Sequence, residues 1–166
     1  MLRCGELASI DFQSVAFSES DASFRLTKPR KSQHSGPLQV VSIGRWLEDD
    51  LICPVLCLHN YIQATSAVRS PSNSQILLIG STRPHKPVGS STVARWIKSQ
   101  LEAAGINTTI FGAHSTRGAA GSKANTKGVN IQSILARGHW SRETTFSKFY
   151  QRATVDRLVE KAVLST

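Results

Sequence analysis

The stretch from Ala113 to Arg152 constrains this chain most, because it combines helical spacing with four side chains suited to phosphate chemistry. His114 and Arg117 lie three residues apart, which places both side chains on one face of a helix. His139 and Tyr150 follow at distances that suit one turn and one further helix. Arginine offers a planar fork of donors for phosphate oxygens, histidine can move protons, and tyrosine can become a covalent nucleophile. Together the four residues make a set that can bind a phosphate and attack it.

The hydrophobic pattern of the whole chain predicts a mainly α-helical fold with a small three-stranded antiparallel β-sheet near the N-terminus. The predicted helices are the helix tail Met1–Ile10, Cys53 to about Val68, a helix capped by Ser90 or Ser91 and ended by Gly105, one that begins at His114, one capped by Asn130 and ended at Arg137-Gly138, Thr144–Tyr150, and a last one capped by Thr154. Pro54 suits the first position of its helix, Ser141 can cap the helix of Thr144–Tyr150, and Tyr61 is expected in the core or at its boundary. The predicted strands are Phe12–Ser18, Ser23–Lys28 and Leu38–Ile43, with a basic hairpin loop, Pro29–Pro37, between the last two.

Glycines in the predicted helix of His114 indicate a close approach of its backbone. Gly118, Gly121 and Gly128 are costly in a helix interior, because glycine loses the most backbone freedom on folding. We therefore expect this backbone to lie against another helix or against DNA.

The charge of the chain favours a polyanionic partner. Lysine and arginine total 20 against 11 acidic residues, so the net charge is +9, and nucleic acid is the first candidate. No apolar run approaches the length of a membrane span, and the N-terminus has no signal-peptide core. The cysteines Cys4, Cys53 and Cys57 lack the spacing of a disulfide framework or a zinc site, so we expect Cys53 and Cys57 to be core residues and no metal to be bound.

Several motifs in order resemble the catalytic core of the tyrosine recombinases, the lambda-integrase-like family. The motifs are Leu-Arg-x-x-Glu-Leu at Leu2–Leu7, Thr27-Lys28, Ala-His-Ser-Thr-Arg at Ala113–Arg117, Gly-His-Trp at Gly138–Trp140, and Thr-Phe-Ser-Lys-Phe-Tyr at Thr145–Tyr150. The sequences of Pro84–Val88, Ala94–Lys98, Ala113–Arg117 and the last motif most resemble those of the recombinases carried by DIRS-type retrotransposons of eukaryotes. The resemblance to the family is specific because the motifs occur in the family's order and spacing, since each motif alone is a weak signal.

The resemblance implies a mechanism in which DNA is cut and rejoined through a 3′-phosphotyrosyl intermediate. Tyr150 is then the nucleophile, and Arg3 and Arg117 clamp the phosphate oxygens. His114 is a candidate base and, with His139, a candidate donor. The family also implies a lysine acid on the β-hairpin. We favour Lys28, and Lys31 is the rival.

The resemblance also implies the setting of the protein: DNA recombination and integration by a transposable element, in the nucleus, as a homo-oligomer on double-stranded DNA, with no cofactor, no membrane and no small-molecule substrate. We expect residues 1–166 to form one catalytic domain, and a fragment, because the DNA-clamping domain that precedes Arg3 in the family is absent. Two alternatives remain open: a catalytically inactive DNA-binding remnant with the same fold, and a hydrolase using Ser115 or Ser122 with His114, although neither serine lies in a Gly-x-Ser-x-Gly elbow.

Overall fold

The computed structural model describes residues 1–30, 33, 35–140 and 143–149, which form two compact units. The N-terminal unit comprises Arg3–Ile106, and the C-terminal unit comprises Met1–Leu2 and the described residues from Asn107 onwards. Each unit has its own hydrophobic core. The prediction of a mainly helical fold with a three-stranded antiparallel sheet near the N-terminus is confirmed.

The N-terminal unit combines the sheet with three helices. Its elements are α1 (Cys4–Leu7), β1 (Ala16–Phe17), β2 (Asp21–Arg25), β3 (Val40–Gly44), α2 (Pro54–Thr65) and α3 (Ser90–Ala103), with 3-10 turns at Phe12–Ser14, Asp50–Ile52 and Ser66–Val68. The strands pair in the order β1-β2-β3, antiparallel throughout. The chain that joins β2 to β3 is the one predicted to carry the catalytic lysine.

Local capping shortens two of the predicted elements. The Asp11 side chain accepts a hydrogen bond from the backbone of Gln13 and starts a 3-10 turn, so the strand predicted at Phe12–Ser18 is reduced to β1. The helix predicted over Met1–Ile10 is reduced to α1, because Arg3 caps its start and Ile10 already pairs as an isolated bridge with Leu26.

The start of α3 also differs from its prediction. Gly89 occupies the N-cap position and Ser90 is the first helical residue, so the prediction that Ser90 or Ser91 caps this helix is wrong.

The core of the N-terminal unit lies between the sheet and the start of α2. Ala22, Cys53 and Val55 are buried there, and Ile43 packs against them. The prediction of a core cysteine is therefore confirmed for Cys53. It is wrong for Cys57, which is exposed, because Val55 in the first turn is the buried residue of α2.

Arg69 and Tyr61 hold the segment 76–79 in place. The Arg69 guanidinium donates to the carbonyl oxygens of Ile76, at 3.1 Å, and Leu77, at 2.6 Å, and lies 3.8 Å from the ring centre of Phe12. The Tyr61 hydroxyl accepts a hydrogen bond of 2.9 Å from the Ile79 backbone. Burial lowers the pKa of Arg69. Tyr61 thus has a structural role, as predicted for a residue at the edge of the core.

The C-terminal unit consists of three described helices: α4 (Ser115–Thr126), α5 (Ile131–Gly138) and α6 (Glu143–Phe149). The Asn130 side chain caps α5 by accepting from the Gln132 backbone at 2.8 Å, as predicted. The core residues of this unit are Ile134, Leu135, Trp140 and Phe146. Gly128 follows α4 with a φ of +76°, so it lies at the end of the helix. The prediction that it lies in the helix interior is wrong.

A membrane span is not found in the part of the chain that the structure describes: none of its helices is both long and apolar enough.

Replacing Arg69 with alanine should destabilise the protein by about 2–3 kcal/mol, because two partly buried carbonyl oxygens lose a charged donor. The free energy of unfolding in urea measures this. Arg95→Ala, at an exposed position of α3, is the matched control and should change it by less than about 0.5 kcal/mol. Equal effects of the two substitutions would contradict the role assigned to Arg69.

Candidate functional site

The predicted catalytic residues of the N-terminal unit line one cleft, here called the Arg3 cleft. It has a volume of about 250 Å³. Its lining residues are Arg3, Gly5, Glu6, Ser9, Lys28, Pro29 and Arg30. The structure therefore brings together Arg3 and Lys28, which are 25 positions apart (28 − 3) in the sequence.

Arg3 is fixed by a carboxylate on its own helix. It is the N-cap residue of α1, and the Glu6 carboxylate accepts from its backbone N–H at 2.7 Å. The same carboxylate pairs with Arg3 Nη1 at 2.9 Å. The Arg3 side chain keeps 28% of its surface exposed. Because a guanidinium has five N–H donors, this arrangement orients Arg3 and leaves it donors for a phosphate.

Glu6 is buried and ionised. Burial by itself raises the pKa of this carboxyl group, but the hydrogen bonds from the Arg3 backbone and side chain, and the charges of Arg3 and Arg30, outweigh burial and hold the pKa below its usual value. Only 7% of the residue is exposed. The Arg3–Glu6 pair is thus a partly buried, charge-assisted contact, the class of hydrogen bond that is stronger than a neutral one.

Lys28 is placed in the cleft by the residue before it. Thr27 donates from its backbone N–H and its hydroxyl to the Ser9 carbonyl oxygen, at 2.7 and 3.2 Å. Ser9 in turn follows α1, so this contact brings the β2–β3 connection to the helix of Arg3. Lys28 itself is exposed. Its rival, Lys31, lies outside the described residues, and the choice between them stays a prediction.

The C-terminal unit holds Arg117 in its interior. Arg117 is 3% exposed, and its Nη2 donates to the carbonyl oxygen of Gly138. Its guanidinium carbon lies 4.9 Å from the ring centre of Trp140, a cation–π contact. The contact from Arg117 on α4 to Gly138 therefore connects the Ala-His-Ser-Thr-Arg motif to the Gly-His-Trp motif, although the two residues are 21 positions apart in the sequence.

His139 lies at the sharp end of α5 in a left-handed conformation, with a φ of +52°. The backbone N–H of His139 donates to Ala136 and that of Trp140 to Leu135, which is the pattern of a Schellman turn. Glycine usually occupies this position, so a histidine here carries backbone strain of about 1 kcal/mol. Strain of this kind is frequent at functional sites, where the surrounding contacts maintain it.

Two glycines make room for the Trp140 and Phe146 rings. A Cβ atom on Gly138 would overlap the Trp140 ring, and one on Gly121 of α4 would lie 2.7 Å from Phe146. The Trp140 and Phe146 ring centres are 5.0 Å apart. The expectation that the α4 backbone is closely approached is confirmed at Gly121, where the neighbours are these aromatic side chains.

His114 and Tyr150 complete the predicted set. His114 is the N-cap residue of α4 and is exposed, whereas Arg117, three residues later, is buried. Tyr150 lies outside the described residues, and so do the predicted cap Ser141 and the helix predicted from Thr154. The assignment of Tyr150 as nucleophile stays a prediction.

Two residues of the Arg3 cleft, Glu6 and Arg30, were not predicted from the sequence as site residues. Glu6 could have been found, because a glutamate three residues after the N-cap is a common partner for it. Arg30 gives no such signal, since only the tertiary structure shows that this loop arginine is 4% exposed. Within residues 1–30, 33, 35–140 and 143–149, no group of three His, Cys, Asp or Glu side chains is placed to hold a metal ion.

Gly138→Ala should lower the free energy of unfolding by about 2–4 kcal/mol, because the new Cβ forces the Trp140 ring off the buried Arg117. Chemical denaturation followed by tryptophan fluorescence measures this change. Gly112→Ala is the matched control in the same unit, since nothing lies within 4 Å of its Cβ position. A Gly138→Ala protein as stable as the control would rule out the packing described here.

Glu6→Gln should reduce stability by about 1–2 kcal/mol at pH 7, because the charge-assisted part of its contact with Arg3 is lost. The pKa of Glu6 is lower in the folded chain than its usual value of 4.5. Its contribution is therefore complete above about pH 4.5 and is lost as the pH falls through the lower, folded value. Thermal unfolding of wild type and variant between pH 7 and pH 3 should show two melting temperatures that converge at low pH.

Glu102→Gln, at an exposed position of α3, serves as the control for that titration and should leave the pH dependence unchanged. A constant difference between wild type and Glu6→Gln across the pH range would count against an ionised Glu6.

Comparison with known protein families gives one match over nearly the whole chain. The model of the phage integrase family matches residues 1–157. The matched range includes all six residues that the sequence predicts to be catalytic. A comparison with curated proteins found no similar sequence.

Proposed function

The chain belongs to the phage integrase family, the tyrosine recombinases, and on that premise we propose that it cuts and rejoins double-stranded DNA through a covalent bond to Tyr150. Membership makes it a tyrosine recombinase-type, DNA-binding protein of DNA recombination. The net charge of +9 is in keeping with a DNA partner.

The observation that carries the proposal is the preorganised Arg3 beside Lys28 in one cleft. Phosphoryl transfer needs donors that are already in position when negative charge builds up on the non-bridging oxygens. Arg3 is held by Glu6, and Lys28 is brought to the same cleft by Thr27. Arg117, held by the Gly138 carbonyl and the Trp140 ring, supplies a second fixed guanidinium in the C-terminal unit.

In the proposed reaction, the Tyr150 oxygen attacks the scissile phosphorus in line with the leaving group. The bond from phosphorus to the tyrosine oxygen forms, and the bond from phosphorus to the 5′-oxygen breaks. The tyrosine proton, whose pKa is ordinarily about 10, passes to a base, for which His114 is the candidate. Lys28 donates a proton to the departing 5′-oxygen. Arg3, Arg117 and His139 stabilise the phosphate oxygens.

Rejoining is the same reaction in reverse with a different strand. A 5′-hydroxyl attacks the 3′-phosphotyrosyl bond, the new phosphodiester forms, and the tyrosine oxygen leaves. The number of bonds of each type is unchanged, so no nucleotide hydrolysis is needed. The chemistry requires no metal, because the guanidinium groups supply the positive charge at the phosphate.

The proposal extends to the class of recombinase and to its location in the cell. The sequences of the motifs, such as Thr-Phe-Ser-Lys-Phe-Tyr, which ends at the proposed nucleophile, support a recombinase of the DIRS-type retrotransposon class. From that likeness we place it in the nucleus, as a homo-oligomer on DNA. We treat residues 1–166 as one catalytic domain that works with a DNA-clamping domain of its own or of another chain.

Tyr150→Phe should abolish the covalent protein–DNA product and leave DNA affinity within about threefold of wild type, because phosphate and groove contacts that dominate affinity are unchanged. Nicked, labelled suicide duplexes from the sequences that flank the gene trap the product, which appears as a band that resists denaturation. Filter binding measures the affinity.

Tyr61→Phe is the control, since Tyr61 is the only other tyrosine in the sequence and its hydroxyl accepts a hydrogen bond from the Ile79 backbone. It should still form the band. The proposal would be contradicted if wild type binds DNA in a salt-sensitive way but forms no covalent band, even after a DNA-clamping domain is added. That result would favour the inactive remnant.

A further inference from the structure

Arg30 lines the Arg3 cleft and is buried there. It is 4% exposed, whereas Lys28, two residues earlier, is exposed. Its backbone is fixed by a hydrogen bond of 2.8 Å from the Gln33 N–H to the Arg30 carbonyl oxygen. A buried guanidinium is costly unless charged or polar groups compensate it, so its presence at this position calls for an explanation.

The charges that line the cleft suggest what Arg30 does. Three cations, Arg3, Lys28 and Arg30, accompany one carboxylate, that of Glu6. Glu6 lies 2.9 Å from Arg3 Nη1, and a carboxylate this close cancels much of the attraction of its partner for a second anion. With Arg3 and Glu6 alone, the pair would be nearly neutral toward a phosphate.

We propose that Arg30 is a positioning residue of this site, whose buried positive charge compensates the Glu6 carboxylate and thereby lets Glu6 orient Arg3 without cancelling its attraction for a DNA phosphate. The inference rests on the proposed function and adds to it a residue that touches neither DNA nor the reacting atoms. It explains why a buried cation and a buried anion occur together beside the half-buried Arg3.

The electrostatics of Glu6 agree with this role. The charged residues that line the cleft around Glu6 are Arg3, Lys28 and Arg30. Burial raises the pKa of Glu6, and the contacts of Arg3 together with the charge of Arg30 lower it further than burial raises it. Arg30 thus acts on the same carboxylate that orients Arg3.

The test compares four forms of the full chain: wild type, Arg30→Gln, Arg30→Lys and the control Arg25→Gln, which alters an exposed arginine of β2 outside the cleft. Carbon-13 NMR of the Glu6 carboxyl gives its titration midpoint without DNA. Suicide duplexes at saturating concentration give the rate of covalent product formation.

In Arg30→Gln, the Glu6 midpoint should rise and the rate should fall by about tenfold or more, because the phosphate loses part of its fixed electrostatic stabilisation. Arg30→Lys should restore both values most of the way, since it keeps the charge. Arg25→Gln should match wild type. An unchanged Glu6 midpoint in Arg30→Gln overturns the proposal, and so does a raised midpoint with a wild-type rate.

If Arg30→Gln does not fold, Arg30→Met takes its place, because it removes the charge and keeps a long side chain. A raised Glu6 midpoint with a lowered rate supports a role through charge, and an unchanged midpoint or a wild-type rate overturns it. The proposed function fails separately, when wild type forms no covalent product, and the Glu6 midpoints then still decide whether Arg30 acts on the Arg3–Glu6 pair.

Discussion

The burial of the Arg117 guanidinium is the constraint on which the C-terminal unit depends. A guanidinium cannot lose its proton in a protein, so its burial requires acceptors and polarisable neighbours from the chain itself. The Gly138 carbonyl oxygen and the Trp140 ring supply them. The ring can take its place only because residue 138 has no side chain, and the left-handed turn at His139 then brings Trp140 back onto the helix end. One buried charge therefore determines the conformation of the whole Gly-His-Trp motif.

In the Arg3 cleft a carboxylate orients the arginine, which is only half-buried. Glu6 holds the Arg3 backbone and side chain at once, which fixes a flexible side chain at the start of a four-residue helix. A helix this short has little stability of its own, so its hydrogen bonds and its packing on α3 must maintain it. In both units the arginine is oriented before any substrate arrives. That preorganisation is what electrostatic stabilisation of a phosphoryl transition state requires, and it connects the fold to the proposed cleavage of DNA.

The sequence predicted the elements of the fold better than the details of the site. Helical spacing identified α2 with Pro54 in its first position and the helix capped by Asn130, and β-like alternation predicted the three-stranded antiparallel sheet. It failed where a local side-chain contact competed with the pattern, as at Asp11, and where burial depends on the partner element, as at Cys57. Arg30 was missed for a related reason: a charged residue is ordinarily exposed, and the burial of Arg30 follows from contacts between distant segments. Glu6 carried a local signal, its position three residues after Arg3, that went unused.

The residue that becomes linked to DNA distinguishes a tyrosine recombinase acting through Tyr150 from any other mechanism. The covalent product is digested with trypsin and nuclease, and mass spectrometry locates the peptide that carries the nucleotide remnant. We expect the remnant on Tyr150, in the peptide Phe-Tyr-Gln-Arg of residues 149–152. A remnant on the peptide of residues 46–69, which contains Tyr61, or on a serine, would contradict it.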